Sequence, residues 1–199
     1  MKKNVALVSL LLLSLCMVAQ NFSVYLPDSI SKKPLDGRLL LLLSKKFNGE
    51  PRFQIADDPA TQQVFGVDVE NWKPGTNKNF PVAAFGYPIE KLSAISSDEY
   101  NVQVVLHIYE TFYRKDGKIV KLPMDRGEGQ HWNLAPGNLF SVPVKINFNP
   151  KTKLMHNIVI TKSIPPIKAP EDNKHVKHIK IQSKLLTEFW GRPMYLGAH

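Results

Sequence analysis

The sequence predicts an all-β protein: an antiparallel, immunoglobulin-like β-sandwich that follows an N-terminal signal peptide. Apolar residues alternate with a period of two in several segments, and turn residues separate these segments. After the first 20 residues, no stretch of about ten or more has a helical period, and the 15 prolines would interrupt long helices. Several short strands with turns between them are typical of a sandwich, with a closed barrel as the alternative.

The first 20 residues have the pattern of a signal peptide. Lys2 and Lys3 precede an apolar stretch of about 15 residues, Val5 to Ala19, which has the length of a signal-peptide core and is short for a membrane span. Cleavage is expected after Ala19 or Gln20, and an uncleaved anchor is the alternative. We therefore predict export to the periplasm or the extracellular space, with membrane contact only through the signal peptide.

The single cysteine, Cys16, lies within this apolar stretch. Lipidation there would be a third possibility, but Leu15 stands where a lipobox has a small residue. We expect Cys16 to leave with the signal peptide, so the mature chain would have no disulfide. About 180 residues can bury an adequate core without one.

Strand patterns follow in order along the chain. The longest runs from Tyr100 to Tyr113 and alternates strictly, with Val102 and Leu106 on one face and His107 on the other. Asp116-Gly117 then predicts a tight hairpin turn, because this pair accepts the positive φ that such turns need. The other segments with a strand pattern are 22–26, 39–43, 64–69, 142–148 and 154–161. The last two flank the turn 149–152, which predicts a second hairpin.

A proline-rich segment, 164–175, divides the chain. It contains Pro165, Pro166 and Pro170, which favour an extended and fairly stiff connector. We therefore expect a sandwich domain over 21–163, a linker over 164–175 and a separate strand over 176–199. The alternative is a surface loop inside one domain.

The charge of the chain does not indicate a nucleic-acid partner. Lys and Arg number 26 against 17 acidic residues, for a formal net charge of +9. The excess lysines are scattered, and no basic stripe with interleaved aromatic residues is present in the sequence. Lysines of this kind also protect exposed strand edges from pairing with other chains.

The densest polar segment is the block 124–133. Two carboxylates, a guanidinium, an imidazole and an indole lie within it, on Asp125, Arg126, Glu128, His131 and Trp132. One hypothesis is a ligand or interdomain contact site, with Trp132 as a stacking platform. The other is a loop that organises itself, in which Arg126 pairs with Asp125 or Glu128 and Trp132 plugs the end of the sandwich.

The sequence contains no recognisable catalytic or metal motif. His175 and His178 are three apart, but the flanking pattern is strand-like, and a strand sends such positions to opposite faces. No Gly-x-Ser-x-Gly elbow and no glycine-rich phosphate loop is present. We predict no catalytic residue, no metal and no cofactor for this chain, and leave open whether it is an enzyme.

Four blocks of the sequence stand out together: Phe65–Trp72, Val102–Leu106 with Tyr109–Phe112, Met124–Asn133 with Pro136–Leu139, and Lys177–Ala198. They resemble the N-terminal region of a family of secreted bacterial esterases. These proteins are similar to the enterochelin-esterase and esterase-D branch of the α/β-hydrolase fold, with a β-rich domain ahead of the catalytic one. The resemblance covers the chain from about Gly37 onward and is most specific in the block 124–133 and in the final run.

This resemblance implies that the final run enters the first strand of a hydrolase sheet. The nucleophile, acid and histidine would then lie beyond His199, so no catalytic residue can be assigned here. We expect a non-catalytic part of an exported carboxylic-ester hydrolase, truncated and without activity of its own, whose partner is the missing hydrolase domain. An unpartnered apolar strand would also make the chain self-associate.

Two other functions remain open. The chain could be a carbohydrate- or envelope-binding module with a glycan as its partner and with Trp72 and Trp132 as stacking platforms. Trp72 could equally be a turn aromatic that covers a sheet edge. A third hypothesis is a complete small enzyme that uses Asp125, Glu128 and His131.

Overall fold

The computed structural model describes residues 22–81, 84–168 and 171–198, and these residues form thirteen β-strands and one α-helix. The all-β sandwich predicted from the sequence is confirmed. The expected signal peptide, with Cys16, lies outside the described residues. Across these ranges, no helix combines the length and the apolar character needed to span a bilayer.

The elements are short and follow one another closely. In chain order they are β1 Phe22–Leu26, β2 Leu35–Ser44, β3 Gln63–Trp72, β4 Thr76–Asn79, β5 Phe85–Tyr87, β6 Asp98–Tyr113, β7 Ile119–Pro123, β8 Leu139–Phe140, β9 Val144–Phe148, β10 His156–Val159, β11 Lys162–Ser163, β12 Ile179–Gln182, α1 Lys184–Trp190 and β13 Tyr195–Ala198.

Two sheets enclose the main core. The smaller has the order β10-β1-β4, in which β1 runs parallel to β10 and antiparallel to β4. The larger has the order β11-β8-β6-β2-β3-β5, with β7 and β9 also paired to β6. Phe22, Val24 and Leu26 of β1 have no exposed surface, because they face the inner side of the large sheet.

The centre of the large sheet is buried on both faces. On the inner face Leu39 and Leu41 lie opposite Leu106 and Val104 and join the main core. On the outer face Leu40 lies opposite Val105 in a second cluster, together with Leu42, Phe140 and Ile164. This two-sided burial explains why residues 39–43 are continuously apolar instead of alternating.

Three short strands, β7, β8 and β9, pair in succession with the edge of β6 that faces away from β2. Pro123 of β7 lies opposite Tyr109, Leu139 of β8 opposite Leu106, and Val144 of β9 opposite Val102. Residues 124–138 are therefore an insertion between β7 and β8. The turn before β7 is the predicted Asp116-Gly117 hairpin, with Gly117 at a φ of +80°.

The prediction of a second hairpin, from segments 142–148 and 154–161, is wrong. The turn at 149–152 forms, with the Thr152 amide donating to the Asn149 carbonyl at 3.1 Å. Its flanking strands belong to different sheets, because β9 pairs with β6 and β10 pairs with β1. Ile158 and Ile160 enter the core between the sheets, and an alternating pattern alone does not say which strand is the partner.

The C-terminal segment forms a strand–helix–strand unit where the sequence pattern indicated one strand. Ser183 caps α1 by accepting a hydrogen bond from the Leu186 amide at 3.3 Å, and Gly191 ends it at a φ of +65°. Among the described strands, β12 and β13 pair with each other and with no other strand. Ile164, expected at the start of the linker, is buried in the second cluster.

Candidate functional site

The inserted loop 124–138 is held by its own hydrogen bonds. Asp125 accepts from the amides of Gly127 and Gly129 at 2.8 and 3.4 Å, in an Asx-type turn. Both glycines have positive φ, which lets the chain turn tightly here. The Arg126 amide donates to the buried Glu128 carboxylate at 2.7 Å.

The side chain of Arg126 reaches out of the loop. Its guanidinium donates to the Pro136 carbonyl at 2.8 Å and forms an ion pair with Glu110 of β6. The second carboxylate oxygen of Glu110 accepts from Arg192 at 2.6 Å. Glu110 thus joins the loop to the C-terminal segment, which differs from the expected pairing of the Arg126 side chain with Asp125 or Glu128.

Trp132 is half-buried and packs on the second cluster. Its carbonyl accepts from the Asn138 side-chain amide at 2.8 Å, and the oxygen of that amide accepts from the Ile108 amide at 2.9 Å. These contacts make Trp132 part of the cover of the large sheet. The side chains of Asp125 and His131 lie on the exposed surface, so the five predicted residues do not converge on one point.

Sequence reasoning missed a buried polar network beneath this loop. The Gln103 side chain accepts from the Arg52 amide at 3.0 Å and donates to Glu50 at 2.8 Å and to the Ser141 carbonyl at 3.0 Å. Burial alone would raise the pKa of Glu50, but bonds from Gln103 and Arg52 keep it below its usual value. Arg52 also donates to the Asn133 carbonyl at 3.0 Å, which fastens the loop to the sheet.

The outer face of the large sheet changes from apolar to polar along β2 and β6. The loop covers the apolar half around Leu40 and Leu42, and the other half is an open groove of about 350 Å³. Its charged and aromatic lining comes from β2, β3, β6 and β7. The lining side chains are Arg38, Asp68, Glu70, Tyr109 and Lys121, with Asp36 bonded to Lys121 at the rim.

A β-bulge shapes this groove. Leu35 lies opposite Trp72 and Gly37 opposite Val69, so β3 contains one extra residue. Asn71 adopts a φ of +47° at this point, and its amide donates to Asp36 at 2.7 Å. This bond and the contact with Lys121 keep the pKa of Asp36 below its usual value, although burial opposes them.

The groove residues are tied by ion pairs. Lys121 lies 3.2 Å from Asp36 and 3.4 Å from Glu70. Both carboxylates raise the pKa of Lys121, and the hydrogen bond to Asp36 has the larger effect. Arg38 donates to Asp68 at 2.8 Å. Burial, followed by the Asp68 charge, raises the pKa of the Tyr109 phenol.

His107 lies between the covered and open halves of the outer face. Its ring stacks edge-to-face on Tyr109, with centroids 5.5 Å apart. Burial lowers the pKa of His107, and the negative charge of Glu128 opposes that effect. The strict alternation of residues 100–113 puts position 109 on the same face as His107, and this was the sequence signal for the contact.

The side chains proposed from the sequence for sugar stacking or metal binding serve the fold instead. Trp72 is only 4% exposed within the main core, so its indole has no free face for stacking. His175 and His178 lie in a turn where Asn173 and Asp172 accept from their amides at 2.8 and 2.9 Å. Within the described ranges, no three His, Cys, Asp or Glu side chains are grouped as metal ligands.

No protein-family model, curated protein or solved structure matches this chain.

Proposed function

We propose that this chain is a non-catalytic, exported β-sandwich that accompanies an α/β-hydrolase domain of the esterase type. The proposal rests on the sequence resemblance and on one structural observation, the exposed apolar face of the pair β12–β13. The hydrolase domain is the partner that this face would contact.

The strand pair has one apolar and one polar face. Ile179, Ile181 and Leu196 lie on the same face and are 53, 60 and 55% exposed. On the opposite face Lys180 lies over the Tyr195 ring at 4.7 Å. An apolar face of this kind, on strands whose outer edges pair with no other described strand, is suited to a further layer or strand from another domain.

The sandwich holds this strand pair through α1 and the turn after it. Trp190 stacks edge-to-face on Phe112 of β6 with centroids 5.2 Å apart, and the Lys115 amide donates to the Phe189 carbonyl at 3.0 Å. Arg192 adds the ion pair with Glu110 and lies over the Phe112 ring at 4.8 Å. These contacts orient the unit on β6 and leave the apolar face of β12–β13 in solvent.

The serines of this chain support the non-catalytic part of the proposal. None stands in a Gly-x-Ser-x-Gly elbow. Ser141 accepts from the Val104 amide at 3.0 Å, Ser183 caps α1, and Ser96 bonds to Tyr100 at 2.9 Å. Each of these hydroxyls has a structural partner instead of a general base.

The catalytic part is tested with an aryl acetate as substrate. The chain is expected to hydrolyse it no faster than buffer does. Turnover above the buffer rate that disappears when one named side chain, such as His131, is replaced would overturn the proposal.

The docking part is tested by changing one face of β12 at a time. Ile181→Lys places a charge on the apolar face, and Gln182→Lys places the same charge on the opposite face of the same strand. In sedimentation velocity the unaltered chain and Gln182→Lys are expected to self-associate, and Ile181→Lys to remain monomeric. A monomeric unaltered chain, or equal behaviour of the two variants, would contradict a docking role for this face.

A point substitution identifies the self-association surface more clearly than a truncation does. Deleting everything after Asn173 should also relieve self-association, as the sequence pattern predicts. It would, however, expose Phe112, which is only 4% exposed and contacts Trp190. A truncated chain that still associates would therefore not distinguish the two surfaces, whereas Ile181→Lys leaves Phe112 covered.

A further inference from the structure

We propose that the polar groove on the outer face of the large sheet binds a neutral, polyhydroxylated ligand, namely an oligosaccharide. The groove lies on the sandwich and does not involve the C-terminal unit. The inference is therefore independent of the proposed accessory role, and either can fail alone.

The groove is a built feature and not a chance gap between side chains. The bulge in β3 displaces Glu70 and Asn71 relative to β2, and the Asn71 amide fixes Asp36 at 2.7 Å. Asn71 holds a φ of +47°, a conformation that costs free energy in a non-glycine residue. Bulges commonly redirect side chains at binding sites, and here Asp36 and Glu70 both face Lys121.

A missing side chain lets Arg38 lie flat in the groove. A Cβ atom added at Gly66 would come within 2.7 Å of Arg38 Nε, so the absence of a side chain at position 66 leaves room for the guanidinium against the sheet. Arg38 then sits beside Asp68 with a contact of 2.8 Å. The outcome is a donor and an acceptor side by side on the surface of the sheet.

Side-by-side donors and acceptors match hydroxyl groups. Each sugar hydroxyl both donates and accepts, so two adjacent hydroxyls can contact Arg38 and Asp68, or Lys121 and Glu70, without separating charges. Hydrogen bonds that involve a charged partner are stronger than those between neutral groups. The flat, half-buried ring of Tyr109 adds an apolar surface and packs edge-to-face with His107.

The charge of the groove argues against anionic ligands. Three carboxylates, on Asp36, Asp68 and Glu70, face the cations of Arg38 and Lys121. This small acidic excess lies in a chain with 26 basic and 17 acidic residues, so it departs from the character of the whole molecule. A phosphate would have to displace Asp68 from Arg38, or Asp36 and Glu70 from Lys121, whereas a neutral saccharide can bond to these pairs without separating them.

The first test uses the unaltered chain, labelled with ¹⁵N. Its amide shifts are followed while chitotetraose, cellotetraose or maltotetraose is added, with inorganic phosphate and tetralysine as separate additions. Saturable shifts at Asp68, Asn71 and Tyr109 with at least one of the three oligosaccharides are expected. Absence of such shifts with all three, or shifts at these residues with phosphate or tetralysine alone, would overturn the proposal.

The second test compares two exposed carboxylates that each form an ion pair. Asp68→Ala removes the partner of Arg38 in the groove. Asp98→Ala removes the partner of Lys45, which it contacts at 2.7 Å at the opposite end of β6. With the oligosaccharide that gives the shifts, Asp68→Ala is expected to weaken binding about tenfold or more, and Asp98→Ala to leave it unchanged.

Tyr109→Leu provides a second variant of the groove. It keeps the buried volume largely filled and removes the ring and the hydroxyl, so weaker binding is expected with little loss of stability. Urea unfolding of each variant shows whether it is folded. Equal affinity of Asp68→Ala, Tyr109→Leu and Asp98→Ala would exclude the groove as the site.

Discussion

Two regions of the molecule share one sequence pattern and have opposite surroundings. In β6 the alternating Val102, Val104 and Leu106 are fully buried, at 0% exposure. In β12 the alternating Ile179 and Ile181 are 53 and 60% exposed. Both regions form strands, but within the described part of the chain only the first has a second layer, β1 and β10, packed on its apolar face.

This difference shows that alternation specifies a strand but not its burial. Burial requires a second apolar surface at about 10 Å from the first. The sandwich supplies that surface to Leu39 and Leu41 from its own chain. No described part of the chain supplies such a surface to β12–β13, and the experiments below sharpen that contrast.

The largest expected difference is in the free energy of unfolding. Leu41→Ala should lower it by about 2–5 kcal/mol, because the cavity forms in a closely packed core. Ile181→Ala should change it by less than about 0.5 kcal/mol, because the side chain is already in solvent. Urea unfolding of both variants measures this, and a cost at Ile181 similar to that at Leu41 would mean that β12 is covered in solution.

The next effect concerns the attachment of the C-terminal unit to β6. Trp190→Ala removes the ring that stacks on Phe112, a contact of a type that is worth about 0.5–1.5 kcal/mol. Amides of β12 and β13 should then exchange with solvent up to about tenfold faster, while those of β2 keep their protection.

Phe85→Ala is the matched control for Trp190→Ala. Phe85 is also an aromatic residue, 63% exposed, but it lies on β5 of the sandwich. It should leave exchange in β12 and β13 unchanged. Equal acceleration by both variants would mean that Trp190 does not hold the unit.

A smaller effect should appear in the acid stability of the sandwich. The pKa of Glu50 is below its usual value of 4.5, so its charged form stabilises the folded state above that pH, and this contribution is lost as the pH falls through the lowered pKa. Glu50→Gln should therefore flatten the acid limb of the unfolding free energy. Glu99→Gln, an exposed change on β6, should not flatten it, and identical acid limbs for the two variants would exclude the role of Glu50.

The smallest effect belongs to His107. Burial lowers its pKa, so the folded state resists protonation and stability should fall as the pH drops below the usual histidine value of 6.5. Glu128 opposes the shift, which keeps the effect small. His107→Gln should reduce the dependence in this window and leave the part that comes from His156, whose pKa burial also lowers. An unchanged profile between pH 7 and the acid limb would contradict the role of His107.

Local patterns predicted the strands well and their partners poorly. The two faces of β6, the buried β1 and the Asp116-Gly117 hairpin follow from residue spacing and turn chemistry, which act over a few residues. The pairing of β9 with β6 and of β10 with β1 depends on contacts between distant parts of the chain. An equally regular alternation fits either partner.

The partners of the polar residues were also poorly predicted from the sequence. The sequence indicated that Arg126 would be paired, but its partner, Glu110, lies on another element and also binds Arg192. The groove at Asp36, Arg38 and Asp68 was not predicted, because its members come from strands that are adjacent only after folding. A signal for it was present in the polar positions of β2 and β3, which alternate with core residues.

The sequence by itself determined that this chain forms strands, where several of them turn, and which of their faces are apolar, because side-chain alternation and turn preferences are local properties. The tertiary structure decided which strands pair, which apolar faces find a second layer, and which charges meet at Glu110 and in the groove. Those outcomes depend on bringing distant residues within a few ångströms of one another, and no local spacing contains that information.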